Sequence, residues 1–166
     1  MRVTEAPVYD ELSLDDDIQV FLAGGIVGCP EWQDELIKML SDLPDDVVLL
    51  NPRRENFPMD DPDAGPIQIK WEFDMLDECD IFSMWFCKET IQPICMYELG
   101  RCMARWEFGE KPDCVTIGID PDYERRLDVE VQTELICEDT AKAIAYSLED
   151  HSANIRELVS LLKEKT

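Results

Sequence analysis

The chain has 166 residues, enough for one domain with a substantial core and too few for two of ordinary size. Its 38 acidic residues against 15 basic ones give a formal net charge of −23, a field that repels polyanions and makes nucleic-acid polymers and anionic membranes poor partners. No run approaches the roughly 18 uninterrupted apolar residues that cross a bilayer, and the acidic stretch from Met1 to Asp17 lacks a basic-then-apolar leader pattern, so a soluble, cytoplasmic protein is expected. Three explanations of the acidity stay open: solubility in a salty or crowded milieu, imitation of DNA to occupy a basic partner, and lineage bias. The acids are dispersed through the chain instead of gathered in one tail, which weighs against mimicry. Seven cysteines, odd in number and without a C-x-x-C pair, read as buried reduced thiols.

In chain order, residues 1–16 hold Pro7 and the acids from Asp15 and read as an extended arm, and residues 17–166 as one α/β domain. Ile18 to Leu22 is the first predicted strand, ended by Ala23-Gly24-Gly25. Pro30 to Leu40 carries Trp32, Leu36, Ile37 and Leu40 at helical spacing. Val47 to Leu50 is the second strand, followed by Asn51-Pro-Arg-Arg54, and Asn56 to Gly65, with Pro58 and Pro62, is a loop placed to act as a lid. Pro66 to Glu78 reads as a helix with Ile69, Phe73 and Leu76 on one stripe, leading to the strand Ile81 to Phe86. After the polar loop Cys87 to Gln92, Pro93 fits the first position of a helix reaching Phe108. Cys114 to Gly118 is the fourth strand and Leu127 to Thr133 alternates like a short fifth. Asp139 to Lys165 reads as one helix, or two broken near His151-Ser152. Strands alternating with helices at this spacing predict an α/β fold, a mainly parallel sheet of about five strands with helices on both faces.

Within that frame Glu98 stands out, a turn and a half inside the helix that follows a doubly buried strand. That places it near the carboxyl edge of a parallel sheet, where ligands bind in open α/β sheets. The positive end of the helix favours the ionised form and hence an anionic nucleophile; a solvated helix glutamate is the competing explanation. Glu72 and Asp74 precede the same strand, and either one beside Glu98 would make a carboxylate pair that divides glycosidic cleavage between attack on the anomeric carbon and management of the leaving group's proton. Phe21-Leu-Ala-Gly24-Gly25 lets a ligand approach the backbone, although a plain tight turn explains it equally well. It is not G-x-G-x-x-G, a phosphate-loop motif is absent, and no cofactor is expected. His151, the only histidine, is assigned a surface role in the helix break, which argues against Ser-His or Cys-His nucleophiles. No metal is expected, since Asp60-Asp-Pro-Asp63 lacks calcium-loop spacing. Arg53-Arg54 and Arg125-Arg126 either orient an anion or pair with nearby acids, and pairing is favoured.

Four segments together, Phe21-Leu-Ala-Gly-Gly-Ile26, Asn51-Pro-Arg-Arg54, Trp71-Glu72 leading to Asp80, and Pro93-Ile-Cys-Met-Tyr-Glu98-Leu-Gly100, resemble the nucleoside 2-deoxyribosyltransferase-like proteins, with the likeness running from Val20 to Gln132. The resemblance implies a flavodoxin-like, Rossmann-like three-layer domain in which Glu98 attacks C1′ of a (deoxy)nucleoside. A glycosyl-enzyme then passes the sugar to a free base or to water. Glu72 takes the place of the carboxylate, usually aspartate, that assists the departing base. Phe21 takes that of an aromatic beside the sugar but lacks the frequent tyrosine hydroxyl, and Gln92 replaces an acid. Gly24, Gly25, Asn51, Arg53 and Asp74 complete the expected substrate-binding set. The implied partners are a small-molecule nucleoside or nucleotide and a free nucleobase, in a homo-oligomer whose neighbour completes the pocket. A catalytically silent nucleotide-sensing domain and an acidic DNA-mimic inhibitor are the rival readings.

Overall fold

The computed structural model describes residues 1–9, 17–137 and 144–165. Four strands form the centre: Ile18–Gly24 (β2), Val47–Asn51 (β3), Ile81–Phe86 (β4) and Cys114–Ile119 (β5). They are mostly apolar along their whole length, as strands covered on both faces must be. β1 (Arg2–Glu5) and β6 (Ile144–Ala145) lie at the two edges, giving the order β1-β3-β2-β4-β5-β6 with every pairing parallel. Side chains alternate with the period of two that a pleat imposes. Val20, Leu22, Val47, Leu49, Ile81 and Trp85 face α1 (Trp32–Met39) and α5 (Leu148–Lys163). Phe21, Ala23, Val48, Leu50, Phe82 and Phe86 face α2 (Ala64–Glu78), α3 (Pro93–Glu107) and α4 (Arg126–Ile136). The result is the expected three-layer, flavodoxin-like arrangement, with six strands instead of five.

Several local expectations are corrected. The first residues of the extended arm also join the sheet, where Arg2–Glu5 pairs in parallel with β3 as an edge strand. The predicted strand Leu127 to Thr133 is the helix α4. Its buried residues are Val129 and Thr133, one helical turn apart, while Leu127 in the alternating pattern is 70% exposed. α2 starts at Ala64, because proline is tolerated in a helix's first turn. Its buried stripe is Trp71, Met75 and Leu76, leaving Ile69 66% and Phe73 53% exposed. α5 runs unbroken from Leu148, capped by Ser147 Oγ, which accepts from the Asp150 amide at 3.0 Å. The earlier part of the predicted C-terminal helix, residues 139–143, lies outside the described residues.

His151 is therefore in a helix's first turn and fully buried, not at a surface break. Its Nε2 lies 2.8 Å from Ser83 Oγ on β4, its ring is tilted 5.8 Å from that of Trp85, and it packs over Gly118. A Cβ at Gly118 would come within 2.2 Å of the Trp85 ring and 3.0 Å of His151 Cγ. Burial pushes the imidazole pKa down to about 3. The folded state thus binds this proton less tightly than the unfolded chain, whose histidine titrates near 6.5. Its contribution to stability is full above that value and is lost as pH falls toward 3. NMR of the single histidine should show no titration between pH 8 and pH 5; a midpoint near 6.5 would contradict the buried neutral ring.

Candidate active site

The chain leaves β2 toward β3 on one side and returns to β4 on the other. The connections leaving the carboxyl ends of β2 and β4 therefore run in opposite directions, and a crevice opens between them, as at other switch points of open α/β sheets. A cavity of about 370 Å³ occupies this place, within the roughly 300–1,000 Å³ of small-molecule sites. Phe21, Gly24 and Gly25 line it from the β2 side, Gln92 and Glu98 from the β4 side, and Glu72 from α2. Its other walls are mostly apolar, including Ile26, Ile91, Ile94 and Cys95. Among the described residues no lysine, arginine or histidine lines it.

The two loops of the mouth are stitched together by hydrogen bonds. Gln92, buried and in the left-handed region (φ 52°), accepts from the Gly25 amide at 2.9 Å and donates to the carbonyls of Cys87 (2.6 Å) and Thr90 (3.0 Å). Both of its amide hydrogens are thereby engaged. Trp32 Nε1 donates to the Gly25 carbonyl at 2.9 Å. The glycines are required by close approach: a Cβ on Gly24 would sit 2.4 Å from the Trp85 carbonyl, and one on Gly25 2.4 Å from Cys29 Sγ and 2.7 Å from Gln92 Oε1. Arg53 braces the same loop from β3. Its Nε donates to Gln33 Oε1 (2.8 Å), and Nη2 reaches the carbonyls of Pro30 (2.7 Å) and Ile26 (3.3 Å). Asn51 Oδ1 accepts from the Arg53 amide at 3.0 Å, shaping the turn that carries that arginine.

Two carboxylates meet in this cavity. Glu98 is half-buried and accepts no hydrogen bond from the described residues. Burial first, and the charge of Glu72 second, push its pKa up to about 7, with Arg101 opposing weakly. Arg101 is drawn away, paired with Asp77 and stacked 4.0 Å over the Phe73 ring. The sequence argument that the helix dipole favours the charged form is outweighed, since Glu98 is the sixth residue of α3 and the dipole acts within about the first turn. Glu72 is also raised by burial, opposed by a hydrogen bond from Gln68. Burial thus makes both carboxylates harder to ionise, and the charge of Glu72 adds to the effect at Glu98.

The structure brings Glu98, Glu72, Phe21, Gly24, Gly25 and Gln92 to one cavity. Asn51, Arg53 and Asp74 do not line it. Asp74 points outward to Lys70 and accepts from Tyr9 Oη at 2.9 Å, and Lys70 holds its pKa low. Pairing with acids, favoured for the arginine pairs, holds for Arg125 with Asp128 (3.7 Å) and Arg126 with Glu130 (3.4 Å). Arg53 binds carbonyls instead, and Arg54 lies 5.2 Å over the Phe57 ring. Sequence reasoning missed Gln68, whose signal was an amide four residues before a carboxylate on one helix.

The fold and cavity define a flavodoxin-like α/β domain with a half-buried carboxylate pair at its switch point. A family model described as nucleoside 2-deoxyribosyltransferase like matches residues 17–108, which include β2 through α3 and both carboxylates, and the chain belongs to that family. At the level of the family this supports a glycosyl-transfer-related role on small-molecule nucleosides. No curated protein matches the chain.

The raised pKa gives a test of the site that needs no substrate. Glu98 binds its proton more tightly folded than unfolded, so the ionised form costs stability that grows from pH 4.5 to 7 and is full above. Glu98→Gln removes that cost. Its Tm should exceed that of the parent at pH 8, by roughly 2–4 °C for each kcal/mol relieved, and the gap should close toward pH 5. Equal Tm values at both pH values would contradict the buried, unpaired carboxylate.

Proposed function

We propose that the protein transfers the sugar of a (deoxy)nucleoside through a covalent glycosyl-enzyme on Glu98, with a free base or water as acceptor. The observation that carries this reading is the meeting of Glu98 and Glu72 in one cavity at the switch point, where the charge of Glu72 adds to burial in raising the pKa of Glu98. Glycosyl transfer with two carboxyl groups needs one ionised and one protonated; the raised pKa of Glu98 places the pair's proton on Glu98 near neutral pH before substrate enters, and attack on the sugar requires that this proton pass to Glu72. Ionised Glu98 attacks C1′, and the C1′–N bond breaks with its electron pair leaving on the base. Glu72 gives that base its proton. An incoming base nitrogen or water then attacks C1′, releases the Glu98 carboxylate and returns a proton to Glu72. No histidine is required.

An uncharged nucleoside fits this cavity better than its 5′-monophosphate. A dianion would enter beside two carboxylates, on a chain of net charge −23, with no cation on the described walls and Arg53 occupied by loop carbonyls. The exposed apolar side chains Ile69 and Phe73 on α2 and Ile94 and Tyr97 on α3 support a homo-oligomer. A second reading, a nucleoside-binding domain without turnover, is favoured by two features: Phe21 offers no hydroxyl, and both amide hydrogens of Gln92 serve the loops.

Chromatography of nucleosides and their 5′-monophosphates, with and without added free base, distinguishes the two. Base release or exchange is expected with the parent protein, at higher kcat/KM for the nucleoside. Glu98→Gln should lower it at least ~10³-fold, because an amide cannot form the glycosyl ester. Tight binding with no turnover of any substrate would establish the second reading.

A further inference from the structure

Gln68 lies one helical turn before Glu72 on α2, and its side-chain nitrogen makes two hydrogen bonds. Nε2 donates to Glu72 Oε1 at 2.9 Å and to the Pro52 carbonyl, at the end of β3, also at 2.9 Å. An amide nitrogen has two hydrogens, and both are used. The orientation of the amide is fixed by its neighbours, because the opposite one would set Gln68 Oε1 against two acceptor oxygens. That Oε1 is buried and has no partner among the described residues. Buried acceptors left unpaired are uncommon and destabilising. A methionine of similar length would remove that orphan but would leave Glu72 Oε1 and the Pro52 carbonyl without their donor, so the glutamine is explained by the two groups it connects. Pro52 and Glu72 both line the cavity, and Gln68, which does not, connects them.

We propose that Gln68 is the positioning residue for Glu72: it ties one oxygen of the second carboxylate to the turn after β3 and leaves the other oxygen to exchange a proton with the substrate. The inference rests on the reading of Glu72 as the group that handles the leaving base's proton. Three links follow from one side chain. The carboxylate is held in one rotamer, the start of α2 is fastened to the sheet edge, and the charged form of Glu72 receives a donor that offsets its burial. Asp74, on the same helix two residues beyond Glu72, has no such tether to the sheet and turns to Lys70 and Tyr9.

The test compares the parent protein with Gln68→Met, and with Gln68→Leu should the methionine variant fold poorly. The carboxyl carbon of Glu72 is followed by NMR through a pH titration, assigned with Glu72→Gln. Loss of the donor should move the Glu72 midpoint upward by about one pH unit. The alkaline limb of the kcat/KM profile should move the same way, since the pair then gives up its last proton at higher pH. The kcat should fall about 10-fold or more while KM changes by less than about threefold, as expected when a reacting group loses its geometry. The Tm should stay level or rise at pH 5 and fall by no more than about 2–4 °C at pH 8, where ionised Glu72 has lost its donor. An unmoved Glu72 midpoint overturns the proposal, and so does a loss of activity accompanied by a lower Tm and an unshifted pH profile, which marks a merely structural role. If the parent turns over no nucleoside, the functional reading fails, while the titration still decides whether Gln68 governs Glu72.

Discussion

A parallel sheet covered by helices on both faces leaves little room for charge inside, and its polar chemistry is driven to the carboxyl edge. In this protein the constraint is visible in β3 and β4, where every residue is buried, and in the period-two division of their side chains between two separate apolar layers. The crevice between the loops leaving β2 and β4 is where the backbone opens, and Glu98 and Glu72 reach it from two different helices. Hydrogen bonds hold the mouth in shape. Gln92 ties Gly25 to the loop before α3, Arg53 ties the loop after β2 to the end of β3, and Gln68 ties α2 to the turn after β3. Loss of any one would leave the fold's layers intact and loosen the cavity.

Burial decides the electrostatics of this crevice more than local charge does. The helix dipole and Arg101 both favour ionised Glu98, yet its pKa is raised, because desolvation and the neighbouring Glu72 carboxylate act in the other direction. A site built this way is less stable when charged, and such strain is common where chemistry is done. Arg53 illustrates the same economy of charge. A cation near the mouth is used to satisfy carbonyls of an irregular loop, as buried backbone requires.

The layer architecture and the place of Glu98 were legible in the sequence because they rest on long, strongly patterned segments: the apolar run before Cys87 and the proline that opens α3. Short or ambiguous periods misled. Leu127 to Thr133 satisfies both an alternating and a helical reading, and only the packing of Val129 and Thr133 selects the helix. His151 was misplaced because a lone histidine among polar neighbours looks exposed. The overlooked signal was Ser83 in an otherwise apolar strand, a buried hydroxyl that needed a partner. The carboxylate pair could be named from the sequence, but the chemistry proposed for it draws its weight from the resemblance to a family, since a chain with 38 acids offers many chance carboxylate neighbours. The bracing roles of Arg53 and Gln92 depend on loop geometry that no pattern in the sequence encodes.

The claim that Glu98 is a nucleophile is tested most directly by trapping. A fluorine at C2′ withdraws electrons from the developing cation at C1′ and slows both formation and breakdown of a glycosyl ester, and an activated base restores the first step so that the intermediate accumulates. After incubation with such a 2-fluoro-2-deoxynucleoside and digestion, mass spectrometry should find the sugar on the peptide that contains Glu98. A sugar carried only by another peptide, or none from a nucleoside whose base is released, would contradict it.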